Sequence, residues 1–196
     1  MATYAAAHGV MVAIAGMLQE HLPDELRASP ISGSVSVLGS NDFTRSNLGN
    51  VLGLYLYRIS VDPTIPGGRV SVVPGSATGR TPEIAVMLHF LLIARADTAL
   101  AENSLMGWGF WQLSAYPTLG SDRLTDPALA WDEGDDAQIA VEELTREELM
   151  RIWDTLPMKY TMTVPFTVRG VRIALLPDMR QYAPVLDRTL VAGTTA

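Results

Sequence analysis

The fold this sequence predicts is a single α+β domain, built on a mixed, mainly antiparallel sheet with about three helices and long loops. Three observations carry the prediction. Val51 to Val61 alternates aromatic and branched residues in a strand pattern, Leu54 and Leu56 against Tyr55, Tyr57 and Ile59. Glu83 to Ile93 is apolar on both faces, which marks a central strand covered from both sides. Thr145 stands three residues before Glu148, a capping box that opens a helix.

The remaining elements follow in order. Residues 3 to 22 read as a helix, with Val10, Ile14, Met17, Leu18 and Leu22 on one face, and Pro23 ends it. Asp24 to Ser32 is a link, Ser34 to Leu38 a short strand, and Gly39 to Gly49 a loop. In the central strand Ile84, Val86, Leu88, Phe90 and Leu92 take one face, and Ala85, Met87, Leu91 and Ile93 the other, which is broken only by His89. Thr98 to Gln112 reads as helix, weakened by Gly107 and Gly109. Pro117 to Asp136 is a turn-rich loop and Ala137 to Val141 a short strand. The capped helix has Leu144 and Leu149 at staple positions, runs through Trp153 and stops before Pro157. Tyr160 to Leu175 is one long strand bent at Pro165. Proline donates no ladder bond, so Pro165 predicts an edge or a bulge there.

Composition excludes several functions. The chain has 196 residues, which fits one domain, and no cysteine, so disulfides, thiol nucleophiles and cysteine zinc sites are ruled out. The formal charge is -7 and Lys159 is the only lysine, against sequence-independent nucleic-acid binding and in favour of basic partners. Val10 to Leu18 resembles a signal-peptide core, but no Lys or Arg precedes it, and the run is too short to insert across a bilayer.

No motif for chemistry is found. His8, His21 and His89 show no metal-ligand spacing, and His89 reads as a core histidine with a satisfied ring. The acidic run Asp132, Glu133, Asp135 and Asp136 does not follow the EF-hand pattern. There is no P-loop, no dinucleotide fingerprint and no GxSxG elbow. The expectation is therefore no catalytic, metal or cofactor-binding residues, and no cofactor.

The candidate sites are contact sites instead. Asp62 to Pro82 is rich in proline and glycine and is long for a mere connection; Pro63, Pro66, Gly67, Gly68, Arg69, Pro74 and Gly75 are its candidate contacts. Trp108, Phe110, Trp111 and Tyr116 form an aromatic cluster that serves either as core packing or as interface anchors, Trp108 and Trp111 being the candidates. Pro165 marks a strand edge onto which a partner strand could add. Residues 183–196 form a tail beyond the domain of 1–182; Val185, Leu186 and Leu190 (with Val191) are its apolar anchors, if it is an arm and not a frayed end.

Several stretches together resemble one family. They are LYLYRI at 54 to 59, IAVMLHFLLIARA at 84 to 96, LMGWGFWQL at 105 to 113, and LTREELMRIWDTLPMKYTMTVPFTVRGVRI at 144 to 173. They resemble the cap or tail-terminator proteins of phage-tail-like contractile injection systems, with departures at Phe90, Ile93, Met106 and Lys159 to Thr163. The resemblance implies a tail-terminator-like fold and a homo-hexameric ring on the membrane-distal end of the inner tube and sheath, where it stops their polymerisation. It also implies synthesis and assembly in the cytoplasm into a particle that is released or stays with the cell. Tube, sheath and the chain itself are the implied partners, with no nucleic acid and no membrane insertion. Two other readings stay open: a phage tail-completion protein at the head–tail junction, and a small-ligand binder or enzyme that would need His89 in an open pocket beside a carboxylate.

Overall fold

The computed structural model describes residues 4–45, 49–64, 70–71, 81–124 and 136–174. In chain order the elements are α1 (Ala6–His21), α2 (Asp24–Arg27), β1 (Ser34–Leu38), a 3-10 helix (Ser40–Thr44), β2 (Val51–Val61), β3 (Val70–Ser71), β4 (Thr81–Arg95), α3 (Ala99–Ala115), β5 (Thr118–Leu119), β6 (Ala137–Val141), α4 (Arg146–Asp154) and β7 (Thr163–Ala174).

β4 is the centre of the molecule. The strands lie in the order β1-β2-β4-β7-β6-β5, with β3 paired to one end of β4. β1 runs parallel to β2 and every other pairing is antiparallel, so the sheet is mixed and mainly antiparallel. On one face Leu88, Phe90, Leu92 and Ala94 pack under Val10, Ile14 and Leu18 of α1 and Met106 and Leu113 of α3. Phe90 stacks on Phe166 of β7 at 5.5 Å. On the other face Leu91 and Ile93 meet Trp153 of α4, with Leu38, Phe43, Leu149 and Ile152 around them. Each fully buried Leu or Phe contributes about 1.5–3 kcal/mol, so neither layer could be dropped.

The local signals explain the element ends. Thr145 accepts from the Glu148 N–H at 3.2 Å, and the Glu148 carboxylate accepts from the Thr145 N–H at 2.9 Å, the reciprocal pair of a capping box. Thr98 caps α3 by accepting from the Ala101 N–H at 3.2 Å. α3 keeps both its glycines for different reasons. A Cβ on Gly109 would lie 2.5 Å from Leu52 Cδ2, so Gly109 lets α3 seat on the sheet, whereas Gly107 faces open space.

The structure departs from the sequence reading in its helices, in the place of β7 and in the place of the bulge, and Thr118–Leu119 pairs as β5 inside a stretch expected as loop. Among the described residues helices number four plus the 3-10 turn, because α2 and Ser40–Thr44 lie in stretches expected as link and loop. A helix of one turn is too short to show a period. β7 is not an edge strand, since β4 flanks it on one side and β6 on the other. Pro165 pairs with Leu91 across β4, and its carbonyl accepts from the Glu142 N–H at 2.9 Å, one residue past the end of β6. Its missing N–H thus falls where β6 gives out, so an interior strand tolerates it. The bulge is elsewhere. Val86 pairs with Val171 and Leu88 with Val168, leaving Arg169 and Gly170 opposite Met87 alone. Gly170 takes a positive φ of 86°, which the bulge requires.

Two glycine substitutions test this account by chemical denaturation. A Cβ on Gly170 would meet the Asp136 carbonyl oxygen at 2.4 Å, which is backbone and cannot move aside. Gly170→Ala is expected to destabilise by about 2 kcal/mol or more. Gly107→Ala, on an open helix face, is expected to stabilise by about 0.5–1 kcal/mol.

Candidate interaction surface

His89 interrupts the apolar face of β4, and its ring is held by two hydrogen bonds. A carboxylate only accepts, so His89 Nδ1 donates to Glu142 Oε1 at 2.8 Å, which leaves Nε2 to accept from the Ser60 hydroxyl at 2.8 Å when the ring is neutral. The Tyr57 hydroxyl donates to the other oxygen, Glu142 Oε2, at 2.7 Å. Burial, and then the bond to Glu142, push the Tyr57 hydroxyl well above the usual tyrosine range. The cluster ties β2, β4 and the segment after β6 through one carboxylate. His89 is the satisfied core histidine that the sequence predicts. Serine, imidazole and carboxylate stand in the order that serves nucleophilic catalysis elsewhere. Here His89 is only 6 % exposed, and both carboxylate oxygens are engaged. A carboxylate partner is therefore present, but His89 does not stand in an open pocket, as the ligand-binding reading requires.

Asp62 ends β2 in a tight turn, its Oδ1 accepting from the Thr64 N–H at 2.9 Å and the Thr64 hydroxyl at 2.6 Å. Burial works to raise its carboxyl; the two Thr64 bonds and nearby Arg169 outweigh it and hold the group below the usual range. Among the described residues no group of three or more His, Asp or Glu is gathered to hold a metal ion, and no helix is long and apolar enough to cross a membrane.

Among the described residues two exposed features bear on binding. The outer face of α3 shows Leu100, Phe110 and Trp111 to solvent, and Trp111 is 58 % exposed. From Asn103 to Ala115 the helix carries no charge. Tyr116 follows, exposed, with its ring over His21. Trp108, by contrast, is half-buried against the core, so the cluster divides: Trp108 packs and Trp111 projects. The second feature is an edge. β1 covers β2 only from Val51 to Tyr55, while β2 runs on to Val61 with Ile59 and Val61 exposed. A cleft of about 260 Å³ lies beside it, lined by Tyr55, Tyr57, Arg151, Ile152 and Thr155.

The contacts expected from sequence are distributed unevenly. Pro63 is exposed in the turn after β2, and Pro165 lies inside the sheet. Pro66, Gly67, Gly68, Arg69, Pro74, Gly75, Val185, Leu186 and Leu190 lie outside the described residues. The β2 edge and its cleft were missed. No sequence signal marks it: Ser34–Leu38 has five residues and Val51–Val61 eleven, but only their pairing turns that difference into an edge.

The layout is a mixed sheet with α1 and α3 on one face and α4 on the other. The model of the Pvc16 N-terminal domain matches residues 9–186, and the chain belongs to that family. The solved structures similar to it include two terminators. The sheath/tube terminator of the PVC extracellular contractile injection system in its extended state superposes at a TM-score of 0.58 with 15 % identity, over 96 % of this chain and 64 % of that one. The tube-terminating cap of the anti-feeding prophage superposes at 0.57 with 15 % identity, over 93 % of this chain and 60 % of that one. The likeness is therefore one of fold, and this chain spans under two thirds of the length of either. The resemblance to tail terminators read from the sequence is upheld by family and fold. No curated protein sequence matches the chain.

Two measurements probe the buried cluster. Glu142→Ala leaves the Tyr57 hydroxyl and His89 Nδ1 without partners and is expected to cost about 2–4 kcal/mol in urea unfolding. The pH dependence has a definite sign. Tyr57 is held protonated in the folded state and ionises near its ordinary value of 10.0 when unfolded. Its contribution is therefore fully present below that pH and is lost as pH rises through the folded value. Tyr57→Phe should flatten the alkaline fall in stability, measured as Tm against pH.

Proposed function

We propose that this chain is a structural cap that forms a ring on the distal end of the inner tube and sheath of a contractile injection system and stops their growth. The observation that carries it is the match of nearly the whole chain to two terminators, one of sheath and tube and one of tube, together with membership of the Pvc16 N-terminal domain family. The surface is consistent with assembly. A charge-free aromatic face and an open strand edge suit protein contacts, and the buried histidine cluster serves the sheet.

The ring is six-fold, closed by head-to-tail contacts between copies. Its partners are further copies of itself, the tube protein and the sheath protein. The particle either leaves the cell or remains with it. Trp111 is the strongest candidate anchor, because exposed tryptophans concentrate binding energy when a partner buries them. The loop contacts Pro63, Pro66, Gly67, Gly68, Arg69, Pro74 and Gly75 belong to the same proposal.

Negative-stain microscopy of the purified protein, and of particles assembled without it, tests the reading. Rings, and tubes of uncontrolled length when the protein is missing, are the expected results; normal particles in its absence would overturn it. Trp111→Ala should leave the melting temperature within experimental error and weaken docking by about 2 kcal/mol or more, read as dissociation of the protein from particles.

A further inference from the structure

Among the described residues, half of β2 runs without a neighbour on its outer side. β1 ends at Leu38 opposite Tyr55, while β4 stays paired with β2 to Val61. The Asp62 N–H donates to the Ala85 carbonyl at 3.0 Å. Main-chain direction alternates along an antiparallel pair, so Arg58 and Ser60 also face β4, and Ile59 and Val61 turn their N–H and C=O groups outward. Such a row is a template for one more strand.

The side chains along this edge say what that strand must carry. Arg58 stands directly opposite His89, so it lies on the α4 face; Ile59 stands opposite Leu88, so it lies on the α1–α3 face, as does Val61 opposite Val86. Arg58 is exposed and makes no ion pair among the described residues, although Arg45, Arg123 and Arg151 each have one. The cleft between β2 and α4 adds an apolar pocket on the Arg58 side. A fitting strand therefore presents a carboxylate and a small apolar group to one face and larger apolar groups to the other.

One stretch of this chain comes near that pattern, with Arg188 the exception on its larger apolar side. In Pro184 to Val191 alternate residues divide into Val185, Asp187, Thr189 and Val191 against Leu186, Arg188 and Leu190. We infer that residues 184–191 of one copy add as a strand to the Tyr57–Val61 edge of the next copy. Asp187 meets Arg58, a valine of that segment enters the Tyr55–Tyr57–Ile152 cleft, and Leu186 and Leu190 cover Ile59 and Val61. The inference rests on the ring reading, in which each copy offers one surface and receives another.

The absence of cysteine makes the test clean. Full-length Ile59→Cys and Leu190→Cys chains are mixed, assembled and treated with a short bismaleimide; Thr118→Cys replaces Ile59→Cys in the control. Cross-linking between the two different chains should exceed the control about tenfold or more, because pairing raises the local thiol concentration. Arg58→Glu and Asp187→Arg should each reduce that yield, and the two together should restore it, with circular dichroism confirming that all variants fold. Yield no higher than the control, or no rescue by the double reversal, would overturn the inference. Microscopy of the same samples separates the two readings. Rings without the cross-link refute only the strand pairing, and the cross-link without rings refutes the cap.

Discussion

β4 has apolar side chains on both faces, and the rest of the structure follows from covering them. A strand of this kind is stable only between two layers. Leu88, Phe90 and Leu92 recruit α1 and α3; Leu91 and Ile93 recruit α4. Both neighbours of β4 are long antiparallel strands, β2 and β7, so its main-chain groups are paired along most of its length. Helices, close approach at Gly109 and the bulge at Gly170 are all adjustments that let these layers close on one strand.

His89 is the one polar position in that strand's buried run, and its neighbourhood shows how the second layer is joined. Burying an imidazole without partners would cost more than the packing around it returns. Glu142 supplies the partner and sits just before the capped start of α4, so satisfying the histidine also fixes where α4 begins. Ser60 and Tyr57 bring β2 into the same network. The bulge between Leu56 and Arg58 makes this possible: alternation already puts Tyr57 on the α4 face with Tyr55, and the extra residue shifts Ser60 onto that face beside His89.

The same architecture leaves its unmet surface in two places. β1 is shorter than β2, which bares one strand edge, and α3 turns an uncharged aromatic face outward. On an acidic chain, uncharged surface is where a second acidic molecule approaches without repulsion. Both features are compatible with assembly.

The sequence by itself determined the elements whose signals are local or periodic: the α1 face, the alternation in β2, the two-sided β4, the Thr145–Glu148 box, and the family, which is a pattern of such elements in order. It also determined that His89 would need partners, though not which ones, since Ser60 and Glu142 are 29 and 53 residues away. Tertiary structure alone decided the strand order. Pro165 shows why: proline reports a missing donor, and only the length of β6 reveals that an interior strand can spare it. The division between Trp108 and Trp111 was settled in the same way, because adjacent turns of one helix look alike until the sheet takes one side. An open edge has no residue signature of its own; it arises from a difference in length between β1 and β2, which only their pairing converts into unpaired backbone.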